Sequence, residues 1–420
     1  MVETAFPFAD RFLEERCNLC GICLAQCPVL EWPIERAQAE FRKLLEAGWS
    51  EAAERCTGCM ACNILCPLGA NPHTRIMLAW QDRYKREGLP VRARWVLPYQ
   101  RPSMITKSLE SLPPDERAIV AQWEQNVREP RDAGTAIYAG CNMMLQPRRL
   151  ASPIFAGIPV FGSLDLCCGE PLYRMGCWDA ARKAAENVRQ TIGQMRLERV
   201  LVPCMAGYHL FRHVYPEVFG IPLDVEIVSL LDWIDERIAS GKLPLSPLGK
   251  RAAVHDSCWP KASGSHFLDL TRKLLAACGV EAIEPEHCRE RALCCGMGVA
   301  AARFSLCHIA DTAIKRLREL QKTGADFIVD DCAGCDWIFA IAGLIPSVNP
   351  LFRSTICSIL SEWPPEKKSI RGRAVSPNPW PSTPSPPLPP RTCPAGEFGL
   401  IEHGASSCQN NASIRQRGVP

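Results

Sequence analysis

The sequence predicts a multidomain α+β protein in which a helical N-terminal domain precedes two repeated α/β domains and a disordered C-terminal tail. Three observations support this fold class. Eight cysteines form two equally spaced quartets before residue 67, and apolar runs that end at cysteines recur between about residues 133 and 350. Proline and serine become abundant after about residue 363. The 420 residues suffice for two or three domains of ordinary size.

The domain limits follow from these changes in composition. We assign residues 1–80 to the N-terminal domain, 81–132 to a helical connector with a helix around 114–129, and 133–249 and 250–362 to the two repeats. A turn-rich segment over residues 241–249 joins the repeats. Residues 363–420 lack apolar periodicity and are predicted to be a disordered tail, in which Cys393 and Cys408 bind nothing.

The cysteine content, 24 residues, is the most informative feature of the composition. A chain of this length can bury an adequate core without disulfides, and its first residues lack the basic start and apolar core of a secretion signal. The cysteines therefore predict metal or redox chemistry in a reducing cytoplasm. No apolar run approaches the roughly 20 residues that span a bilayer, so we expect membrane contact only through a partner. A net charge of +3 does not favour nucleic acid.

The two N-terminal quartets share the spacing Cys-x2-Cys-x2-Cys-x3-Cys-Pro, which suits iron–sulfur cubanes. Three thiolates two residues apart wrap one cluster, and in two-cluster ferredoxins the fourth cysteine ligates the other cluster. The predicted cofactors are therefore two 4Fe–4S clusters, one held by Cys17, Cys20, Cys23 and Cys66, the other by Cys27, Cys56, Cys59 and Cys62. An insertion with a helix over about residues 34–47 separates the quartets. The alternative is a pair of structural zinc sites, which usually lack a third cysteine at this step.

The two later domains are copies of one pattern. Each opens with an apolar run before a cysteine, contains Cys-Cys-Gly, continues with a helical pattern over about residues 178–196 or 310–323, and closes with a β-like run before another cysteine. Strands that alternate with helices predict largely parallel sheets. We expect the cysteines at the carboxyl ends of the strands, where open α/β sheets place their ligand sites.

The two copies differ in their thiols. At the ligand positions of the pattern the second copy has five, more than one cubane or one zinc ion requires: Cys258, Cys294, Cys295, Cys332 and Cys335. The glycine after the adjacent pair permits a turn that directs both sulfurs to one centre. At the same positions the first copy has four, because Gly207 stands where the last cysteine is expected: Cys141, Cys167, Cys168 and Cys204. These four could hold zinc, an ordinary cluster or nothing.

The motifs His255-Asp256-Ser257-Cys258, Leu293-Cys294-Cys295-Gly296 and Asp331-Cys332-Ala333-Gly334-Cys335 resemble the CCG cysteine-rich domain family. With the N-terminal di-cluster ferredoxin, the resemblance covers about residues 10–350. The family includes the catalytic subunit of heterodisulfide reductase and the iron–sulfur subunits of glycolate oxidase, lactate-utilisation enzymes and anaerobic glycerol-3-phosphate dehydrogenase. The resemblance implies a non-cubane 4Fe–4S centre on the five cysteines of the second copy. The first copy departs from the family pattern, because the spacer between Cys141 and the Cys167-Cys168 pair is shorter than is usual for the family.

The expected function is that of an iron–sulfur subunit of a multi-subunit oxidoreductase, similar to heterodisulfide reductase, with a catalytic centre for disulfide or thiol substrates in the second copy. We expect a cytoplasmic protein whose partner is a flavoprotein, a b-type cytochrome or another iron–sulfur subunit, with a membrane reached only through that partner. One alternative is a relay subunit of a flavin-dependent glycolate, lactate or glycerol-3-phosphate dehydrogenase that feeds quinone. Another is a zinc-stapled scaffold. His255 and Asp256 either assist the centre or make structural hydrogen bonds.

Overall fold

The computed structural model describes residues 11–129, 134–243, 245, 247–343 and 352–355. The predicted tail, with Cys393 and Cys408, lies outside the described residues.

The N-terminal segment is helical, as predicted. The three helices next to the cysteine loops, α1, α3 and α4, have only four or five residues each. Helix α2 is longer and amphipathic, and it buries Ala37, Phe41 and Leu44 on one face. This helix ends at Gly48, whose left-handed conformation is typical of a helix terminus. The insertion helix expected over residues 34–47 is therefore confirmed. The helices are α1 Ile22–Ala25, α2 Ile34–Ala47, α3 Glu51–Arg55, α4 Ala61–Leu65 and α5 Pro72–Glu87.

The domain limit that we assigned at residue 80 falls inside α5. Pro72 occupies the first turn of this helix, where its missing N–H costs nothing, and the helix then continues without a break to Glu87. Trp80 is fully buried, and its Nε1–H donates to the carbonyl of Ala53 at 3.0 Å. Trp80 therefore packs with the N-terminal segment, whereas Tyr84, one turn later, donates its hydroxyl proton to the carbonyl of Ala302 in the second repeat at 3.2 Å. The connector that follows contains α6 Met104–Glu110 and α7 Pro114–Arg128.

The first repeat contains a four-stranded sheet of parallel strands in the order β2-β1-β3-β4. In the register, Ile137 of β1 lies opposite Val160 and Leu201. Strand β3 is an apolar run buried on both faces, as parallel strands usually are. The strands are β1 Thr135–Tyr138, β2 Val160–Phe161, β3 Arg199–Val202 and β4 Glu226–Ser229, and the helices are α8 Glu170–Arg174, α9 Trp178–Gln194, α10 Met205–His209, continued by a π-helical stretch Leu210–Val218, and α11 Leu230–Ala239.

The second repeat contains a sheet of the same design, with parallel strands in the order β6-β5-β7-β8. The two orders are equivalent position by position, so the duplication predicted from the sequence is present in the topology. The strands are β5 Lys250–His255, β6 Val280–Ile283, β7 Phe327–Asp330 and β8 Phe352–Thr355, and the helices are α12 Cys258–Ala262, α13 His266–Ala277, α14 Met297–Arg303, α15 Leu306–Gln321 and α16 Ala333–Ala342. The helices expected near residues 178–196 and 310–323 correspond to α9 and α15.

The connector helix α7 is part of the first repeat rather than a free link. It packs on the short edge strand β2, where Asn126 Nδ2 donates to the carbonyl of Val160 at 2.8 Å. Its buried Val120 and Trp123 face the same side of the helix. This helix was expected around residues 114–129, but its packing partner was not predicted.

The N-terminal segment docks on the second repeat. Helix α4 packs against α12, and α3 packs against α14. Arg303, at the end of α14, donates to the carbonyls of Arg55 at 2.6 Å and Glu54 at 3.1 Å, which satisfies carbonyl groups at the end of α3. Among the described residues, none of the helices combines the length and apolar character that crossing a bilayer requires.

Candidate metal centres

Four cysteines from two separate loops line one cavity of the N-terminal segment. Cys17 and Cys20 lie in the loop that leads into α1, Cys23 lies in α1 itself, and Cys66 follows α4. Cys66 is close enough to Cys17 and Cys23 to oppose their ionisation. Cys17 and Cys20 are partly exposed, and we call this group the outer quartet. The structure therefore brings together the crossed set that was predicted, with the fourth thiol taken from the other sequence motif.

The complementary set forms the inner quartet: Cys27, Cys56, Cys59 and Cys62. Burial raises the pKa of Cys27 to about 11 and that of Cys56 to about 12, and in both cases the neighbouring thiol of Cys59 adds to the rise. Four neighbouring thiols, of which Cys59 and Cys62 are buried, cannot all ionise unless a cation compensates their charge.

The backbone around both quartets suits thiolates. The N–H of Gly58 donates to Cys56 Sγ at 3.3 Å, and that of Ala70 donates to Cys66 Sγ at 3.4 Å. Such bonds favour the charged form of sulfur, which is the form that binds metal. Four soft thiolates in a buried group fit an iron–sulfur cluster or zinc. The residues present therefore fit a thiolate-bound metal centre at each quartet.

The five cysteines of the second repeat meet at the carboxyl edge of its sheet. Cys258 follows β5 and begins α12, Cys332 follows β7, and Cys335 lies in the first turn of α16. The adjacent pair precedes α14; Cys295 contacts both Cys294 and Cys335. Burial raises the pKa of Cys258 to about 11, with the thiols of Cys295 and Cys332 adding to it. The group matches the five predicted residues, which we call the second centre.

Gly296 makes the turn of this centre possible. Its φ of +109° lies in the region that favours glycine, and a Cβ there would approach the carbonyl oxygen of Ile309 to 2.6 Å. The N–H of Gly296 donates to Cys294 Sγ at 3.3 Å. The expectation that glycine lets the adjacent sulfurs share one site agrees with this geometry.

The four cysteines of the first repeat do not form an isolated group. Cys141 Sγ and Cys167 Sγ are 3.8 Å apart, and Cys168 contacts Cys167. Cys204, however, contacts Cys332 of the second centre. A Cβ at Gly207 would lie 3.9 Å from Cys168 Sγ, so this glycine occupies the place of a fifth ligand. The first repeat therefore keeps the geometry of a thiolate centre while sharing one thiol with its neighbour.

Arg174 is a site residue that the sequence did not reveal. It is 4% exposed at the end of α8, and its Nη2 donates to Cys258 Sγ at 3.3 Å while its Nη1 donates to the carbonyl of Gly58 at 2.7 Å. Its Nε–H donates to Glu170 at 2.5 Å, and its guanidinium lies 4.9 Å from the ring centre of Trp259. One cation thus touches the second centre and the loop of the inner quartet. No spacing rule could have identified it.

Three tyrosines hold the Cys-Cys-Gly loop of the first repeat, and they too carried no sequence signal. Tyr138 donates its hydroxyl proton to the carbonyl of Leu166 at 2.6 Å, Tyr215 to that of Cys168 at 2.8 Å, and Tyr99 to that of Cys167 at 3.4 Å. Such bonds to successive carbonyls fix the loop that carries the adjacent thiols.

His255 and Asp256, singled out before Cys258, have different surroundings. Asp256 is paired with Arg272 at 2.7 Å and accepts from the N–H of Arg289 at 2.6 Å. Burial opposes its ionisation, but these partners bring its pKa below the usual value. Asp256 is therefore a structural residue, which is one of the two alternatives stated for it. His255 is buried beside Cys295, and burial lowers its pKa below the ordinary value.

The inner quartet and the second centre are in direct contact. Cys59, Ala61 and Cys294 form one buried apolar group. Gly298, two residues after the Cys-Cys-Gly turn, allows this approach, because a Cβ there would lie 2.3 Å from the carbonyl oxygen of Thr57. Any side chain at position 298 would therefore push the two loops apart.

Comparison with known protein families agrees with these groups. A family model described as a 4Fe-4S dicluster domain matches residues 14–70, and a model described as the CCG cysteine-rich domain matches residues 135–209 and 252–340. The matched ranges contain both quartets and all nine predicted ligand thiols of the two repeats.

Three curated relatives show how far the similarity extends. The EtfAB:quinone oxidoreductase of Syntrophomonas wolfei is 25% identical over 59% of this chain and 36% of its own length. A subunit of the anaerobic glycerol-3-phosphate dehydrogenase of Escherichia coli is 25% identical over 51% and 57%, respectively. A subunit of the dihydromethanophenazine:CoB--CoM heterodisulfide reductase of Methanosarcina acetivorans is 21% identical over 76% and 87%. The chain thus spans only 36% and 57% of the length of the first two.

Proposed function

This chain belongs to the CCG cysteine-rich proteins that carry an N-terminal 4Fe–4S dicluster domain, and we propose that it is an electron-transfer subunit of a larger oxidoreductase. The outer and inner quartets would each hold one 4Fe–4S cluster, and the second centre would hold a non-cubane 4Fe–4S group. When bound, such clusters supply one-electron transfer. Zinc or a further cluster on the four thiols of the first repeat remains part of the proposal.

The observation that carries this proposal is the order of the thiol groups through the molecule. The outer quartet lies beside the inner quartet, since the thiol of Cys23 is close enough to Cys62 to oppose its ionisation. Cys59 of the inner quartet then packs against Cys294 of the second centre. The protein thus arranges the three groups as one continuous series, which is the order that electron transfer between an external partner and the second centre requires.

For the buried end of this order we propose a reaction with a disulfide or thiol substrate. The heterodisulfide reductase relative supports it, because its similarity extends over most of both chains. The five thiols also support it, since they exceed the needs of an ordinary cubane. The partner at the exposed end would be a flavoprotein, a b-type cytochrome or another iron–sulfur subunit, and any membrane association would come through it.

A second candidate is a relay in which the CCG centre performs no chemistry of its own. The first repeat supports this relay, because Gly207 stands where the second repeat has its fifth cysteine, so that only four ligand thiols remain. Two relatives are named as a quinone oxidoreductase and as a subunit of glycerol-3-phosphate dehydrogenase, which supports a flow of electrons from a flavin-dependent dehydrogenase to quinone.

Anaerobic purification with iron, sulfide and zinc analysis is the first test. We expect bound iron and inorganic sulfide; a colourless protein with zinc alone would instead establish the scaffold alternative and overturn both redox candidates.

Thiol-dependent reduction of a dye whose reduction potential lies above that of the thiol–disulfide couple separates the two redox candidates. Disulfide chemistry predicts an activity that Cys294→Ala and Cys332→Ala abolish, while Cys278→Ala, a buried cysteine outside the groups, preserves it. Activity that persists in the first two variants would refute catalysis at the second centre.

A further inference from the structure

His255 lies against two thiols of the second centre. One ring nitrogen of His255 and the sulfurs of Cys295 and Cys335 all lie within 4.8 Å of one another, and all three residues are buried. By composition this trio could be three ligands of one metal. Whether the imidazole ligates depends on which nitrogen carries its proton, because a protonated nitrogen has no lone pair for a metal.

Arg316 decides the position of that proton. Its Nε–H points at Nδ1 of His255 at 3.0 Å. A guanidinium can only donate hydrogen bonds, so Nδ1 must be the acceptor. In a neutral imidazole the proton then resides on Nε2. Ligation through Nε2 would require a proton on Nδ1, and two N–H groups would then face each other at this distance.

The guanidinium cannot turn away from His255. Arg316 is 0% exposed, and its Nη1 donates to Glu319 Oε2 at 3.0 Å and to the carbonyl of His287 at 2.8 Å. Its Nη2 lies 3.4 Å from the carbonyl of Val254. Glu319 is held in turn by the N–H of His287 at 2.6 Å. These contacts occupy the whole cation and fix the direction of its Nε–H.

The protonated nitrogen, Nε2, is buried and has no hydrogen-bond partner among the described residues. Buried N–H groups are almost always paired, since an unpaired one costs free energy. The thiolates of the second centre are the acceptors at hand, because Cys295 lies beside the ring.

We propose that His255 is a neutral N–H donor to the sulfur of the second centre and that Arg316 positions it; this inference rests on the proposed function. His255 is then neither a metal ligand nor a proton carrier. Arg316 also closes the path for a proton, because a guanidinium has no site to accept one. A hydrogen bond to sulfur stabilises the more negative reduced state, so His255 raises the reduction potential of this centre.

Pulsed EPR of protein labelled with ¹⁵N-histidine tests the assignment on the wild-type chain. In the paramagnetic state of the second centre we expect a weak nitrogen coupling and an exchangeable proton near sulfur. A strong coupling, typical of direct ligation, would overturn the proposal. Absence of iron and sulfide would instead defeat the proposed function, so the two failures are distinguishable.

Substitution provides an independent readout. His255→Phe should keep the iron content of the wild type while the potential of the second centre becomes more negative. The matched control is His209→Phe, a buried histidine that contacts Ser263 and Trp259 and should leave that potential unchanged. Loss of iron in His255→Phe, with the quartet clusters intact, would show ligation. The double variant R316M/E319Q frees Nδ1 without leaving an unpaired carboxylate, and should let His255 ligate with a strong coupling.

Discussion

Arg174 links two redox groups through a single side chain. Because its guanidinium donates both to Cys258 Sγ and to the carbonyl of Gly58, it holds the loop of the inner quartet against the second centre. A fixed positive charge at this place also favours electron-rich thiolate centres. Its partner Glu170 keeps the cation from being buried without compensation.

We predict that Arg174→Met lowers stability by about 3 kcal/mol, because it breaks a buried ion pair and two further hydrogen bonds. The potential of the second centre should also become more negative. Anaerobic urea unfolding and an EPR-monitored redox titration measure the two effects. In the control R174M/E170Q no carboxylate is left unpaired, so part of the stability should return while the potential stays shifted. An unchanged potential in Arg174→Met would contradict the assigned role.

At the scale of elements, the contact between α14 and the N-terminal loop depends on a residue without a side chain. Gly298 lies in the first turn of α14, where a Cβ would meet the carbonyl of Thr57 at 2.3 Å and Cys294 Sγ at 3.3 Å. Helix α14 also anchors α3 through Arg303. The distance between the inner quartet and the second centre is therefore set by how closely these elements pack.

We predict that Gly298→Ala destabilises the protein by about 1–3 kcal/mol, the usual cost of overpacking, and slows electron transfer between the inner quartet and the second centre. Stopped-flow reduction followed by rapid-freeze EPR measures the rate. Gly193→Ala is the matched control, since this exposed helical glycine has nothing within 4 Å of its Cβ position and alanine favours helix. Equal rates in the two variants would show that the close contact at Gly298 does not control electron transfer between the inner quartet and the second centre.

At the scale of the whole molecule, the crossed quartets tie two loops about 40 residues apart into one unit. The outer group takes Cys66 and the inner group takes Cys27. Each cluster would therefore depend on both sequence motifs, and loss of one cysteine would affect the cluster on the other motif.

We predict that Cys66→Ala removes about four iron atoms per chain and abolishes the signal of the outer cluster while the inner signal persists. Iron analysis with EPR measures both. Cys27→Ala should do the reverse, and each variant serves as the control for the other. Loss of the inner signal in Cys66→Ala would indicate that each motif binds its own cluster.

Much of the fold could be predicted from local patterns. The helix Ile34–Ala47, the connector helix Pro114–Arg128 and the strand Phe327–Asp330 lie where apolar periodicity and turn residues indicate. Such elements depend on neighbours within a few residues, which the sequence displays directly. The limit drawn at residue 80 fell inside α5, because the packing of Trp80 against a distant loop is not a local property.

By itself, the sequence determined the family and the duplication and predicted which thiols share a centre, because ligand spacing and the strand–turn–helix repeat are encoded over short distances. Only the tertiary structure decided that Cys204 touches Cys332, that Arg174 reaches Gly58 across 116 residues and that Arg316 orients His255 across 61. These contacts arise where domains pack, and packing depends on the joint shape of surfaces that no single segment specifies.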